Sequence, residues 1–313
     1  MTFSVTVLGS SSALPTSTRF SSAHVLNAHE RLFLIDCAEG TQMQLRRMHI
    51  KMSKINHIFI SHLHGDHVLG LVGLISTLNL VGRKSTLHIY AHKELENNLL
   101  YNTKFFIEEL NFQISFHPIT PNKHEVIYDD GKLTVETLPL KHRVPSTGFL
   151  FKEKWGFPNI RKELIEKYSL TLADIASIKN GNDYILPNGQ VVLNNDLTYF
   201  ASEPRSYAYC SDTIYNEKLI GLLKGIDLLY HEATFAHSEE KLAKLTGHST
   251  AEQAATVAKK AEVTKLIIGH FSSRYKSMSI LVDEAKSIFS NTIGVEDGII
   301  FEIPTKKNCV LST

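Results

Sequence analysis

Between Ser61 and Gly70 the chain reads SHLHGDHVLG, so three histidines and one aspartate fall within six consecutive positions, directly after the apolar run 55–60. No other stretch constrains the fold as much. A short β-branched apolar run reads as a buried strand, and the polar groups behind it must sit where that strand ends and the backbone turns. The spacing offers donors in two pairs, His62 with His64 for one ion and Asp66 with His67 for another. Imidazole nitrogen combined with carboxylate oxygen suits Zn2+ at roughly 2.0–2.2 Å, whereas Mg2+ prefers an all-oxygen shell. Gly65 reads as the residue that lets the loop bend.

Four donors are too few for two ions, so others must come from other strand ends. His142 in LKHRVPSTGF, Asp212 in YCSDT and His270 in IIGHFSSRY each follow closely on an apolar run, and Asp212 could bridge the two ions. A single histidine after a strand reads more simply as a surface or capped residue. The cluster at 62–67 is what makes these three candidates, and His24, His57 and His117 stay with the plainer reading.

Periodicity makes the chain mixed α/β. Strand-like runs occupy 3–8, 24–27, 32–35, 55–60, 87–91, 113–118, 133–138 and 148–151, and later 206–210, 228–231, 265–269 and 298–303. Apolar residues at spacings of three and four predict helices over 41–48, 68–81 and 93–110, then 216–223, 249–261 and 280–289. The helix 68–81 is apolar enough to be either core or partly interface. Ser249 with Glu252 reads as a capping pair that starts one of them, leaving His248 just before it. Residues 152–197 break the pattern: they lack strand periodicity, end in turn-rich NGND and PNG, and balance six basic against six acidic residues. They read as an inserted arm, with helix around 160–168 and 172–178, in an otherwise single domain spanning 1–313.

Composition excludes several classes. With 33 Lys plus Arg against 32 Asp plus Glu, the net charge of +1 creates no global field for nucleic acid, so RNA contacts must be local. Three cysteines, Cys37, Cys210 and Cys309, without a CxxC pair argue against disulfides or a thiolate zinc site and fit a reducing cytoplasm. Nowhere do 18 apolar residues run without a charge, so a soluble, unprocessed, cytoplasmic protein with no membrane partner is expected.

The HxHxDH box with later His, Asp and His resembles the metallo-β-lactamase superfamily, which implies a four-layer αβ/βα sandwich with a dinuclear site at one edge. LGSSSALPT (8–16), LIDCAEGTQMQLRR (34–47), ISHLHGDHVLGLVGL (60–74), HEATF (231–235), GHSTAEQAA (247–255) and IGHFSSRY (268–275), in this order, are similar to the ribonuclease Z family of tRNA 3′-processing endonucleases. That resemblance implies two Zn2+ per subunit, one held by His62, His64 and His142, the other by Asp66, His67 and His270, with Asp212 on both. It also implies precursor tRNA as substrate, a homodimer, and an arm that acts as an exosite gripping the tRNA; no other protein partner is evident from the sequence.

Within the matching motifs, Asp66 is assigned to take the proton of the attacking water, and His248 to help the leaving 3′ oxygen with its ring oriented by Glu232. Arg19, Ser272, Ser273 and Arg274 are either phosphate contacts or ordinary polar loop residues. Thr234 either touches substrate or makes a structural hydrogen bond, and Asp36 and Glu39 are expected to support the metal histidines. Two departures stand out. The loop that reads P-x-K-x-R-N in many bacterial members is here Pro15-Thr16-Ser17-Thr18-Arg19-Phe20, which bears on whether CCA-bearing tRNAs are rejected, and the arm lacks a Gly-Pro motif. The competing readings are a zinc phosphodiesterase or arylsulfatase-like hydrolase acting on small esters, and a non-catalytic RNA-binding subunit.

Overall fold

A computed structural model describes residues 1–14 and 16–307; Pro15 and Cys309, named above, lie outside them. Six strands run side by side in chain order: β1 (Phe3–Gly9), β2 (Ala23–Ala28), β3 (Arg31–Ile35), β4 (Ile55–Phe59), β5 (Leu87–His92) and β6 (Ile114–Ile119). A second sheet begins with β7 (Val126–Asp129), β8 (Leu133–Pro139) and β9 (Thr147–Glu153). After four two-residue strands, β10 (Asn159–Ile160), β11 (Tyr184–Ile185), β12 (Val191–Val192) and β13 (Thr198–Tyr199), it resumes with β14 (Ser206–Cys210), β15 (Leu228–Glu232), β16 (Lys265–Gly269) and β17 (Thr292–Gly294). The last strand, β18 (Ile300–Glu302), crosses back to pair antiparallel with β1, so each sheet has seven strands.

The helices α1 (Thr41–Arg47), α2 (Gly65–Val68), α3 (Leu71–Leu80) and α4 (Glu94–Phe106) accompany the first sheet. The insert holds α5 (Lys162–Lys167), α6 (Leu172–Lys179) and α7 (Asn194–Leu197), and the second sheet is accompanied by α8 (Lys218–Leu222), α9 (Glu240–Thr246), α10 (Ala251–Lys260) and α11 (Ser279–Ile288).

Alternate residues of each strand face opposite ways, and here both faces are covered. Phe33 and Phe59 meet Phe149, Phe151, Tyr207 and Tyr230 between the sheets. On the outer faces, Leu34, Ile58 and Ile89 pack with Leu74 and Leu78, while Leu150, Leu229 and Leu266 pack with Ala254, Ala258 and Leu281. The order helix, sheet, sheet, helix is the four-layer arrangement expected. Covering on both faces is why the strands read as nearly continuous apolar runs, and each large side chain buried this way contributes about 1.5–3 kcal/mol.

Two helix boundaries differ from expectation. The 68–81 stretch is two helices, broken at Leu69–Gly70, because the Gly70 N–H donates to Cys37 O at 2.9 Å and a Cβ at Gly70 would lie 2.0 Å from Ala38 O. Only a glycine lets the backbone come this close. α10 is capped by Thr250, not Ser249: Thr250 Oγ1 accepts from the Gln253 N–H and Gln253 Oε1 accepts from the Thr250 N–H. Ser249 Oγ instead donates to Thr213 O at 2.6 Å, so the capping pair of the sequence is shifted by one. Strands β7 and β17 and helices α7 and α9 lie outside the runs read from the sequence; β7, β17 and α7, of three or four residues, are too short to impose a period. The same holds for β10 to β13, which pair Asn159 with Tyr199 and Tyr184 with Val192. Ile160, Leu170, Ile178 and Leu197 form a small separate core within this insert.

Strand direction decides where chemistry can gather. β14, β15 and β16 are parallel, as are β3, β4 and β5, and β8 runs with β14 because both are antiparallel to β9. Their carboxyl ends share one edge of the sandwich, the end at which open α/β sheets bind ligands.

Candidate metal centre

His62 and His64 follow β4, Asp66 and His67 lie in α2, His142 follows β8, Asp212 follows β14 and His270 follows β16. Folding brings all seven together. His62 Nε2 and His142 Nε2 lie 3.4 and 3.6 Å from Asp212 Oδ2, and His64 Nδ1 lies 3.1 Å from His62 Nε2 and 3.3 Å from His142 Nε2. On the other side, His67 Nε2 and His270 Nε2 lie 3.3 and 3.2 Å from Asp212 Oδ1, and each is 3.4 Å from Asp66 Oδ2. Donor atoms about 2.0–2.1 Å from a common centre in a tetrahedron stand roughly 3.3 Å apart. The two oxygens of Asp212 thus face two such groups, each able to hold a metal ion.

The ring edges turned away from the centre explain how the imidazoles are aimed. Asp36 Oδ2 accepts from His67 Nδ1 at 2.7 Å, and Gly247 O accepts from His142 Nδ1 at 2.7 Å. Ser61 Oγ gives its proton to Asp36 at 2.9 Å and so accepts from His62 Nδ1 at 3.1 Å. Thr234 Oγ1 gives its proton to Glu232 Oε2 at 2.6 Å and accepts from His270 Nδ1 at 2.9 Å. With Nδ1 carrying hydrogen, each of these four rings turns Nε2 inward, where the neutral ring offers a lone pair. The buried His67 Nε2 has no hydrogen-bond partner. Inward lone pairs beside carboxylates are a poor hydrogen-bonding set and a good donor set for a divalent cation, so the residues present fit the group.

The backbone is strained where these side chains emerge. Asp36, Asp212 and His270 have φ of 57°, 39° and 59°, in the left-handed region that costs a non-glycine residue about 1 kcal/mol or more. Gly247, at φ 84°, does the opposite service: a Cβ there would strike His142 Nδ1 at 2.7 Å. Gly65, by contrast, opens α2 without a left-handed φ, and the bend does not depend on it in the way expected; a Cβ would instead crowd Leu69.

Charge follows the same layout. Burial and the neighbouring His67 lower the His62 pKa to about 4, so this ring is neutral at pH 7. Burial opposes protonation of His67, yet Asp212 and Asp36 on either side raise its pKa well above the usual value. Asp66 would be raised by burial, but the adjacent His270 and His67 rings hold it well below the carboxylate range.

His248 stands beside the seven. Its Nδ1 is 4.0 Å from Asp212 Oδ2 but bonded to Glu232 Oε1 at 3.0 Å, so that edge is committed and Nε2 is left for the adjoining cleft. Burial would lower its pKa, but the Glu232 carboxylate, with Asp212 and Asp66 behind it, raises it to about 9. Glu232 also accepts from the Thr213 and Thr234 amides.

Two clefts flank the cluster. One of about 410 Å³ is lined by Ser21, Glu39, His64, Asp66, Leu69 and Arg143. The other, of about 430 Å³, opens at His248. Larger cavities of about 710 and 580 Å³ lie at the opposite ends of the strands, around Arg205, and contain none of the grouped residues; size does not locate this site.

The chain is 50% identical over 97% of its length to ribonuclease Z of Phocaeicola vulgatus, covering 99% of that protein, and 42% identical over 94% to ribonuclease Z of Porphyromonas gingivalis, covering 97%. The chain belongs to the ribonuclease Z family. The crystal structure of the short form of human tRNase Z superposes with a TM-score of 0.70 at 27% identity, covering 96% of this chain and 99% of that one. A metallo-β-lactamase fold protein of Bacillus subtilis, YhfI, gives a TM-score of 0.68 at 18% identity, covering 96% and 100%, and shares the fold. Residues 3–171 also match the model of the family described as Anti-Pycsar protein Apyc1, and over that half the chain belongs to it as well. This match holds His62 to His142 and stops short of Asp212, Glu232, His248 and His270, whereas the ribonuclease Z relatives span nearly everything.

The ribonuclease Z motifs that contribute no grouped histidine or aspartate fall into place around the cluster. Asp36 accepts from the Ser61 amide and from Tyr209 Oη at 2.7 and 2.8 Å as well as from His67, which makes it a buried hub. Glu39 does not share this role; it is exposed on the cleft rim. Thr234 is committed to Glu232 and His270, the structural alternative. Arg19 Nη2 donates to Tyr275 O at 3.2 Å, and Arg274 Nη1 is 3.3 Å from Glu239 with its guanidinium over Phe235. Phe20 lies against Gly40 with the Arg47 guanidinium 5.1 Å from its ring centre. Sequence reasoning missed Ser61, Arg143, Thr213 and Tyr209. The first two adjoin His62 and His142 and were legible as neighbours; Thr213 and Tyr209 act through contacts no local pattern reveals.

Proposed function

We propose that this chain is a zinc endoribonuclease that removes the 3′ trailer from precursor tRNA and leaves a 3′ hydroxyl on the tRNA. The observation that carries this reading is Asp212, whose two carboxylate oxygens face two separate histidine groups, in a chain of the ribonuclease Z family. His62, His64 and His142 would hold one Zn2+, Asp66, His67 and His270 the other, and Asp212 both. The chemistry such ions supply is acidification of water and neutralisation of charge on a phosphodiester. Asp66, ionised and at the cleft, accepts the proton of the attacking water. His248, protonated and oriented by Glu232, donates from Nε2 to the departing 3′ oxygen, and Arg19, Ser272 and Arg274 approach the flanking phosphates.

The insert at 152–197 supports a macromolecular substrate, since a small ester needs only a pocket. We assign it to grip tRNA away from the cut. Its balanced charge predicts a shallow salt dependence. The exposed Leu100, Tyr101, Phe105 and Phe106 of α4, with Leu80 and Val81 at the end of α3, support a homodimer, because exposed apolar clusters of this kind mark interfaces. Sedimentation at micromolar concentration is expected to give a dimer, and a monomer at all concentrations would remove that part of the reading. Buried, free Cys37 and Cys210 suit a reducing cytoplasm, and among the described residues no helix is long and apolar enough to cross a membrane.

Incubation with precursor tRNAs lacking and containing CCA is expected to give a single cut at the 3′ side of the tRNA body, lost in Asp66→Ala. Hydrolysis of bis(p-nitrophenyl) phosphate without tRNA cleavage at any salt concentration would reject this reading for the small-ester hydrolase.

A further inference from the structure

The cleft that opens at His248 has no role in the metal chemistry. Its volume of about 430 Å³ lies in the range of small-ligand sites. Ile214, Tyr215, Lys241 and Lys244 of α9 and His248 line it, the two lysines exposed to solvent at its mouth and His248 the more buried. The rest of the lining is braced, because Gln253 Nε2 donates to Glu240 Oε1 at 3.0 Å while Gln253 Oε1 caps α10. Lys241 and Lys244 lie one turn apart on the same side of α9. Neither pairs with a carboxylate among the described residues, unlike nearby Lys260, bonded to Glu217, and Lys224, paired with Glu262. Unpaired cations at the mouth, an aromatic ring along the wall and a more buried imidazole match a phosphate, a base and a ribose oxygen in that order.

We propose that this cleft holds the nucleotide immediately 5′ of the bond that is cut. The inference rests on the function proposed above. In an in-line displacement the bond from phosphorus to the water oxygen forms on one side while the bond to the 3′ oxygen breaks on the other. The 3′ oxygen keeps the electron pair and takes its proton from His248. Asp66 opens into the first cleft and His248 into the second, so the ribose that carries the 3′ oxygen lies beyond His248. Its base then reaches Tyr215, and its own 5′ phosphate reaches Lys241 and Lys244. The trailer keeps the phosphorus as its 5′ phosphate, extends from it in another direction and does not enter this cleft.

The test crosses enzyme and substrate changes. Precursor tRNA with an abasic residue just 5′ of the cut should be cleaved with kcat/KM lower by about 10-fold in the wild type, the scale of one lost base stack. In Tyr215→Leu that penalty should shrink to within about twofold, because the base has already lost its wall. Cleavage of the abasic substrate by this variant at the wild-type rate would show that it folds. An abasic residue just 3′ of the cut should show no such coupling. Lys241→Ala with Lys244→Ala should raise KM about 10-fold at low salt and flatten the salt dependence, with kcat held. Additive losses in Tyr215→Leu, coupling to the 3′ residue instead, or an unchanged KM in the lysine variant would overturn the assignment while leaving the endonuclease reading intact. Failure of the wild type to cut precursor tRNA would overturn both.

Discussion

Asp212→Ala is expected to lose both zinc ions and to lower kcat/KM on precursor tRNA by on the order of 10³-fold or more, the scale of losing a catalytic metal site. The argument is geometric. Asp212 Oδ2 faces His62 and His142 while Asp212 Oδ1 faces His67 and His270, so one carboxylate presents an oxygen to each group. Burial would raise its pKa, but His270, His67 and His62 hold it well below the ordinary carboxylate value, so it stays a carboxylate at any pH where the fold is useful. By the sign of that shift, its contribution to the stability of the metal-free protein is present above about pH 4 and is lost as pH falls through the folded value. Elemental analysis reads the result directly: two zinc ions per chain in the wild type, one in His142→Ala, and none in Asp212→Ala. Retention of two ions by Asp212→Ala would end the bridging assignment.

His248→Ala should keep its metal and lose catalysis, with kcat down by about 10²- to 10⁴-fold, the usual worth of a general acid. The pH profile separates this from a packing defect. Glu232 raises the His248 pKa to about 9, and the protonated ring is the active form, so kcat is flat below that value and falls as pH rises through it. Cations held at Asp212 repel the charged ring and move the limb below 9. Glu232→Gln should move it further, toward the ordinary histidine value near 6.5, while His248→Ala should have no such limb. Zinc content must be measured in the Glu232 variant, because Glu232 also fixes His270 through Thr234. Full turnover and an unshifted limb in Glu232→Gln, beside a dead His248→Ala, would show that the two side chains are not coupled.

Much of the site was readable because donor chemistry is local in kind. The SHLHGDH run declares itself through composition and through the strand before it, and His142, Asp212 and His270 stand at strand ends that periodicity locates within a residue or two. Among the elements that escaped were the shortest, which carry no period: the two-residue strands of the insert, β7 and β17. The Thr250 cap escaped because two adjacent hydroxyl residues both fit the pattern, and only the contact of Ser249 Oγ with Thr213 O decides between them. Glu39 failed as a support because proximity in sequence to Asp36 says nothing of which way an exposed loop side chain turns.

What the sequence determined by itself was the type of chemistry, the mixed α/β class, and the seven side chains that could take part, since each follows from residue identity and short-range spacing; the four-layer order of helices and sheets followed only from the family resemblance. Tertiary structure alone decided how they converge: His142 meets His64 across 78 positions and His270 meets Asp66 across 204. It also decided which oxygen of Asp212 faces which group, that the outer edge of each of four rings is fixed by an acceptor, and that Glu232 serves both His248 and His270. Those outcomes depend on strand direction, left-handed turns at Asp36, Asp212 and His270, and the close approach permitted at Gly70 and Gly247, none of which a spacing of residue types can specify.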